Sequence, residues 1–466
     1  MKKLFFTFLF GSMAFSLAAQ TQTGDGTRLN QYGMEVNRVP MVAESRDGIM
    51  VFESWDQQTR FWFDIRVQLD GAVFFGTKDW MNPIGNNASI RRARLGIKSQ
   101  INRNWYGEID TDFTNGFFEL KDAIIQFSTC NWEFRAGNFK EEFSMEQLTS
   151  SRYLPMMERP MAMSAFAPSR SLGVDAKYRH KWFYGAAGVF FQEVSDFETA
   201  NWVQDANQDL GRSQGMSYTG RLVFNPFWKD IWRGIHIGGA ASHRTPKTSV
   251  DPRQLGGFRY DARNSTSINR KKYIDTDRFP NVTDHELLWN VELAGHYRGL
   301  RVQAEYVQAN NYIKDGTGIV NSVDFSGIKK YTFDGWYAMA GITLFGGEQR
   351  YNMGGAKFTQ PTRGRSWGDI ELLVRYDHLN LNDQNIFGGS GENYTVGLNY
   401  YVNDNVKFVL NYQYSKNDRY ANGRTRLFSG VTADGTPTTD FRQIAAPKGE
   451  GGVRIQMIAL RMEIDF

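Results

Sequence analysis

The residues best suited to chemistry are arginines and lysines spaced two apart. Arg91, Arg92 and Arg94 open a run that continues to Lys98, and Arg60 and Arg66 stand upstream. In an extended chain, residues i and i+2 share a face, so Arg92, Arg94 and Lys98 point one way, and Arg60 and Arg66 line one side of the preceding segment. Guanidinium forks present paired donors to phosphate or carboxylate oxygens. A row of them along a narrow passage hands an anion onward by repeated weak capture. Asp64, Asp70, Glu108, Asp110 and Asp112 have the same parity, which keeps a second reading open. On that reading the bases pair with carboxylates across the wall, and the passage is general or only weakly selective.

More bases, Lys140, Arg152, Arg159 and Arg170, punctuate a long stretch between Phe139 and Gly173 that also holds Phe143, Met157, Pro160, Phe166 and Pro168. So apolar a loop is poorly suited to solvent. It is predicted to fold inward and narrow the passage, the alternative being a cap packed on neighbouring outer loops.

Catalytic patterns are absent from the sequence. The six histidines, at 180, 236, 243, 285, 296 and 378, lack metal-ligand spacing, and neither a nucleophile elbow nor a phosphate-cradling glycine loop occurs. A single cysteine, Cys130, excludes an internal disulfide framework and a cysteine zinc site. No cofactor, metal or enzyme activity is therefore expected. The formal net charge is +4, or +2 once Lys2 and Lys3 are set aside, too balanced to draw nucleic acid.

The elements that must position these bases are strands. From Arg60 onward, Phe61, Phe63, Ile65, Val67 and Leu69 alternate with Arg60, Trp62, Asp64, Arg66, Gln68 and Asp70, giving one dry face and one wet face. The pattern recurs about sixteen times, ending with Ile458, Leu460, Met462, Ile464 and Phe466 against Arg461, Glu463 and Asp465. Short connections such as 102–104, 128–131 and 403–405 alternate with long ones such as 138–171 and 416–454. Only 346–367 is long where a short turn is expected. Apolar content of 41% with 15% aromatics and 46 glycines suits a thin lipid-facing band, aromatic girdles and a polar interior. The expected fold is all-β, a transmembrane antiparallel β-barrel over residues 59–466 with an inward-folded third loop. Residues 1–19 read as a cleaved signal peptide, with Lys2 and Lys3 before the apolar stretch Leu4–Leu17, and residues 20–58 as an N-terminal extension. The expected location is the outer membrane, among lipids and lipopolysaccharide.

These residues carry a resemblance. The Arg91–Arg94 strand, Lys140–Ser151, Glu158-Arg159, Pro168–Gly173, Gly397–Tyr401 and the Phe466 end resemble the phosphate-selective porin O and P family. The resemblance implies a sixteen-stranded barrel, a homotrimer, an inward third loop and an arginine ladder that guides phosphate. Carried over, the ladder falls on Arg91 or Arg92, Arg94, Lys140 and Arg159. Glu142 stands where family members often have proline, which brings a carboxylate close to these bases. The full set expected to meet anions or other small solutes is Arg60, Arg66, Arg91, Arg92, Arg94, Lys98, Lys140, Arg159 and Arg170. A barrel acting instead as an enzyme or as an accessory partner of a transport complex is the competing reading.

Overall fold

The computed structural model describes residues 27–466, apart from 38, 47, 79–80, 82, 117, 192–214, 231, 247–256, 278, 280–281, 321 and 447–450. The expected leader, residues 1–19, lies outside the described residues.

Sixteen antiparallel strands form the wall. They are β1 (Arg60–Phe75), β2 (Asn87–Ile101), β3 (Trp105–Asp112), β4 (Glu119–Ser128), β5 (Trp132–Lys140), β6 (Arg170–His180), β7 (Phe183–Phe190) and β8 (Ser217–Phe224). Then come β9 (Arg233–Arg244), β10 (Thr283–Tyr297), β11 (Leu300–Ile313), β12 (Lys330–Thr343), β13 (Asp369–Asp383), β14 (Ile386–Tyr401), β15 (Val406–Asn417) and β16 (Arg454–Asp465). Each strand pairs with the next, and β16 closes the ring on β1, from Gln456 opposite Phe75 to Asp465 opposite Arg66. Where β1 outruns β16, a hairpin of Met41–Arg46 and Ile49–Ser54 continues the sheet, with Val51 opposite Trp62. Closure removes the exposed edges that would otherwise invite aggregation. No helix among the described residues is long and apolar enough to cross a membrane. The crossing elements here are strands.

Period-two alternation places Leu69, Ile97, Ile109, Val174, Leu222, Val374, Leu410 and Leu460 outward and exposed. At or beside the short turns Trp105, Trp132, Trp182, Trp232 and Tyr297 face out, while contacts such as Trp336–Tyr376 and Tyr376–Tyr394 form a second aromatic row. Rings with polar tips settle at the two membrane–water boundaries. Leu410, in register with Leu398 and Leu460, lies within the greasy band. Leu410→Arg is expected to destabilise the barrel by about 2–4 kcal/mol, read as a lower urea midpoint for loss of the heat-modifiable gel band. A change at a partly exposed lumen-facing site, such as Gln126→Arg on β4, serves as the control.

The lumen is half filled. The third outer loop, 141–169, folds inside and carries two short helices, α1 (Met145–Leu148) and α2 (Met161–Phe166). Met161, Met163 and Phe166 of α2 form an apolar core with Tyr260 and Tyr273 of a later outer loop and with the inward-facing Leu288, Val307, Phe333 and Leu379 of the wall. A uniformly polar interior is therefore corrected on the β10–β13 side, where inward apolar residues have a partner to pack against. The 346–367 connection is a genuinely long turn on the rim of short turns. It enters the barrel as a small hairpin pairing Tyr351–Asn352 with Lys357–Phe358.

Candidate functional site

One open and charged region of the lumen lies against β1–β6. Side chains from β1, β2, β3, β4, β5, β6 and the third loop surround a cavity of about 270 Å³. Its charged lining comprises Arg66, Arg92, Arg94, Lys98, Lys140, Arg152, Arg159 and Arg170 against Asp64, Glu108, Asp110 and Asp122, eight cations to four carboxylates. Seven of the nine expected bases are brought together here.

Alternation alone predicts Ile90 inward and Arg91 outward. The structure reverses both through a β-bulge. Gln68 pairs with Arg92 but Leu69 pairs with Ile90, so Arg91 is the extra residue. Ile90 is consequently exposed on the outer face, and Arg91 turns in to make a two-pronged contact with Glu158 of the third loop, its Nη2 3.1 Å from Oε2. The choice between Arg91 and Arg92 therefore resolves as both inward. A second bulge at Lys121, between the pairs Asp110–Asp122 and Thr111–Leu120, changes the phase of β4. Arg60 lies apart, at the rim where β1 meets the hairpin, bonded to Glu53.

The bases fall into two groups. Arg66 pairs with Asp465 at 3.1 Å, Arg94 with Asp112 at 2.9 Å, Lys98 with Asp64 at 2.7 Å and Arg170 with Asp122 at 2.6 Å. Arg92, Lys140 and Arg159 make no ion pair among the described residues and bond only neutral acceptors. Arg92 donates to the Gln68 side chain at 2.6 Å. Lys140 donates to the Gln147 carbonyl at 2.5 Å, and Arg159 to the carbonyls of Glu146 and Thr149 at 3.0 and 2.6 Å. These carbonyls belong to the end of α1, where intrahelical partners run out. Pairing with carboxylates across the wall thus accounts for Arg66, Arg94, Lys98 and Arg170, and not for Arg92, Lys140 and Arg159. Arg152, in the same loop but outside the expected set, joins the lining by bonding Asp64, and Ser150, Ser151 and Tyr153 stand beside it. The signal for it was the run of loop bases itself.

The loop is pinned at several points. Ser144, with φ of 64°, caps α1 by accepting from the Gln147 N–H, and Glu305 of β11 accepts from the Glu146 N–H at 2.8 Å. Arg461 of β16 donates to the Met157 carbonyl at 2.7 Å. Gly137, with φ of 133°, allows β5 to pass Ala123 just before the loop begins, because a Cβ there would lie 1.9 Å from the Ala123 carbonyl oxygen. Burial opposes ionisation of Glu158, but the charge and hydrogen bonds of Arg91 hold its carboxyl well below the usual range. Burial pushes the Arg159 guanidinium down to about 10. His236 faces inward and joins Glu292 at 3.0 Å and the Tyr351 hydroxyl at 2.6 Å, away from the cavity lining. Glu108, Asp110 and Asp122 lie close enough together to share a cation, yet cationic side chains stand among them.

Lys357, on the inserted turn, is a base whose charge changes within an accessible pH range. Burial, together with Lys177, Arg135 and Arg221, outweighs the attraction of Glu142 and pushes its amine down to about 8. It is protonated below that pH and loses its charge as pH rises from 7 to 9, so the anion preference of the channel is expected to fall over that interval, checked by reversal potentials at fixed salt. Its effect on stability has the opposite sign. The folded pKa lies below the ordinary value, so the unfolded chain binds more protons between about 8 and 10.5, and the fold gains stability as pH rises through that window.

A closed sheet with an apolar outer band and a charged, constricted lumen defines a solute channel of the outer membrane. The family model for phosphate-selective porin O and P matches residues 61–433, and the chain belongs to that family. It is 24% identical to Porin O of Pseudomonas aeruginosa over 445 residues, covering 89% of this chain and 94% of that one. It is 27% identical to an uncharacterized protein of Caulobacter vibrioides over 408 residues, 86% of this chain and 73% of the relative. Among solved structures, an anion-selective porin from Comamonas acidovorans superimposes with a TM-score of 0.50 at 10% identity, covering 88% of this chain and all of that one. The protein is an outer-membrane porin.

Proposed function

We propose that this porin prefers small anions, phosphate among them, and that the cavity against β1–β6 is where the preference arises. The observation that carries the reading is the excess of bases in the lining, with Arg92, Lys140 and Arg159 bonded to neutral acceptors and outside any ion pair among the described residues. An anion entering the constriction exchanges water for guanidinium donors. The carboxylates that pair with neighbouring bases keep each capture weak enough for release. Arg66, Arg91, Arg94, Lys98 and Arg170 contribute through pairs that shift toward the passing ion, whereas Arg60 acts only at the rim.

On the same reading the chain is exported through its 1–19 leader, residues 20–58 form an extension to the 59–466 barrel, three copies assemble, and lipid and lipopolysaccharide surround them. It passes solutes without catalysis. Purified protein in a planar bilayer under a KCl gradient is expected to give an anion-selective reversal potential, and added phosphate is expected to reduce the chloride current. A cation-selective potential would defeat the proposal.

A further inference from the structure

We propose that Lys357 is a positioning residue for the constriction, holding α1 of the third loop in place from the opposite rim of the barrel. The inference rests on the reading of the third loop as the selective constriction. Four successive carbonyls, those of Glu146, Gln147, Leu148 and Thr149, close the helical turn of α1. Lys140 from the wall and Arg159 from the returning arm of the loop bond three of them, and the Lys357 ammonium bonds the remaining one, that of Leu148, at 3.1 Å. Cations suit this end of a helical turn, where carbonyl oxygens lack intrahelical partners.

The hairpin also grips α1 at its other end. Phe358, next to Lys357, is buried against Met145, the first residue of α1, and Ala294 of β10. The hairpin itself is fastened to the wall, because Arg221 donates to the Ala356 carbonyl at 2.9 Å while holding Glu292 at 2.7 Å, and the Tyr351 hydroxyl meets His236. A continuous set of contacts therefore runs from β8–β10 through the hairpin to α1, and from α1 to Lys140 and Arg159 in the cavity lining. Without Lys357 the Leu148 carbonyl loses its donor, and the segment bearing Ser150–Arg152 has more freedom to move.

The test separates position from charge. Lys357→Met removes the donor while roughly keeping length, and Lys357→Arg keeps a charged donor. In single-channel records Lys357→Met is expected to show open-channel current noise several times that of wild type. It is also expected to lose about twofold in anion-to-cation permeability, the effect of one unit charge ~10 Å from the ion in a water-like medium. Lys357→Arg is expected to be as quiet as wild type. If Lys357→Met gives no heat-modifiable band, Lys357→Gln, too short to keep the contact, is recorded instead, with the same expectation. A Met or Gln channel as quiet as wild type, or an Arg channel as noisy as the Met channel, would overturn the positioning role. Cation selectivity in the wild type would instead overturn the anion-selective reading on which it rests.

Discussion

Arg92→Ala combined with Arg94→Ala is expected to lower the anion-to-cation permeability ratio by about thirtyfold at low salt. A unit charge ~4 Å from a passing ion contributes about 1 kcal/mol in a water-like medium, and two of them act here. Arg92 donates to Gln68 and makes no ion pair among the described residues, so its removal takes away positive charge without freeing a paired carboxylate. Arg94 is bonded to Asp112, so its removal also leaves a carboxylate facing the lumen, which repels anions further. The difference is expected to shrink as salt rises and screening shortens the reach of each charge. Arg60→Ala is the control, since Arg60 sits at the rim on Glu53, and its reversal potential is expected to stay near wild type. Equal shifts in the control and the double variant, or none in either, would mean that the ladder does not set selectivity.

Arg461→Met is expected to cost about 3–5 kcal/mol, the usual range when one member of a buried ion pair is removed. Arg461 grips both oxygens of Asp70 across the closing seam at 2.7 and 2.8 Å, with both side chains only 2% exposed. Its other donors hold the Met157 carbonyl and reach Glu158. Loss of the guanidinium leaves Asp70 charged, buried and unpaired. The variant's band is expected to unfold at clearly lower urea than wild type, and Asp70→Asn placed in the same chain is expected to recover most of the difference, because the uncompensated charge is then gone. An Arg461→Met barrel as resistant as wild type would show that the seam does not depend on this pair.

Much of the fold is legible in the sequence because a two-sided sheet writes its geometry into every second residue. Phe61 to Asp70 and Ile458 to Asp465 reveal both faces of the strands that meet at the seam. Alternation carries no mark for an added residue, so the bulge at Arg91 was invisible, and with it the inward turn of Arg91 and the outward turn of Ile90. Leu288, Val307, Phe333 and Leu379 broke the expectation of a wet interior because their packing partner, α2, comes from a loop more than a hundred residues upstream. Arg60 has the parity of Arg66, yet the stagger between β1 and β16 leaves it at the rim. The inserted hairpin was visible only as a connection of unexpected length. Which base meets a carboxylate and which a carbonyl depends on pairings far apart in sequence, such as the 391 positions between Arg461 and Asp70. Local pattern cannot supply these.

That separation also bears on biogenesis. A nascent sheet lacking its final strand has no Arg461 to meet Asp70 or the Met157 carbonyl, so on that flank the filter loop keeps only its contacts with β1 and β2, such as Arg66 with Ser151 and Arg91 with Glu158. Sealing of the ring therefore completes the seating of the filter. An unclosed ribbon would thus carry a filter loop short of one anchor, with Asp70 charged and without its partner.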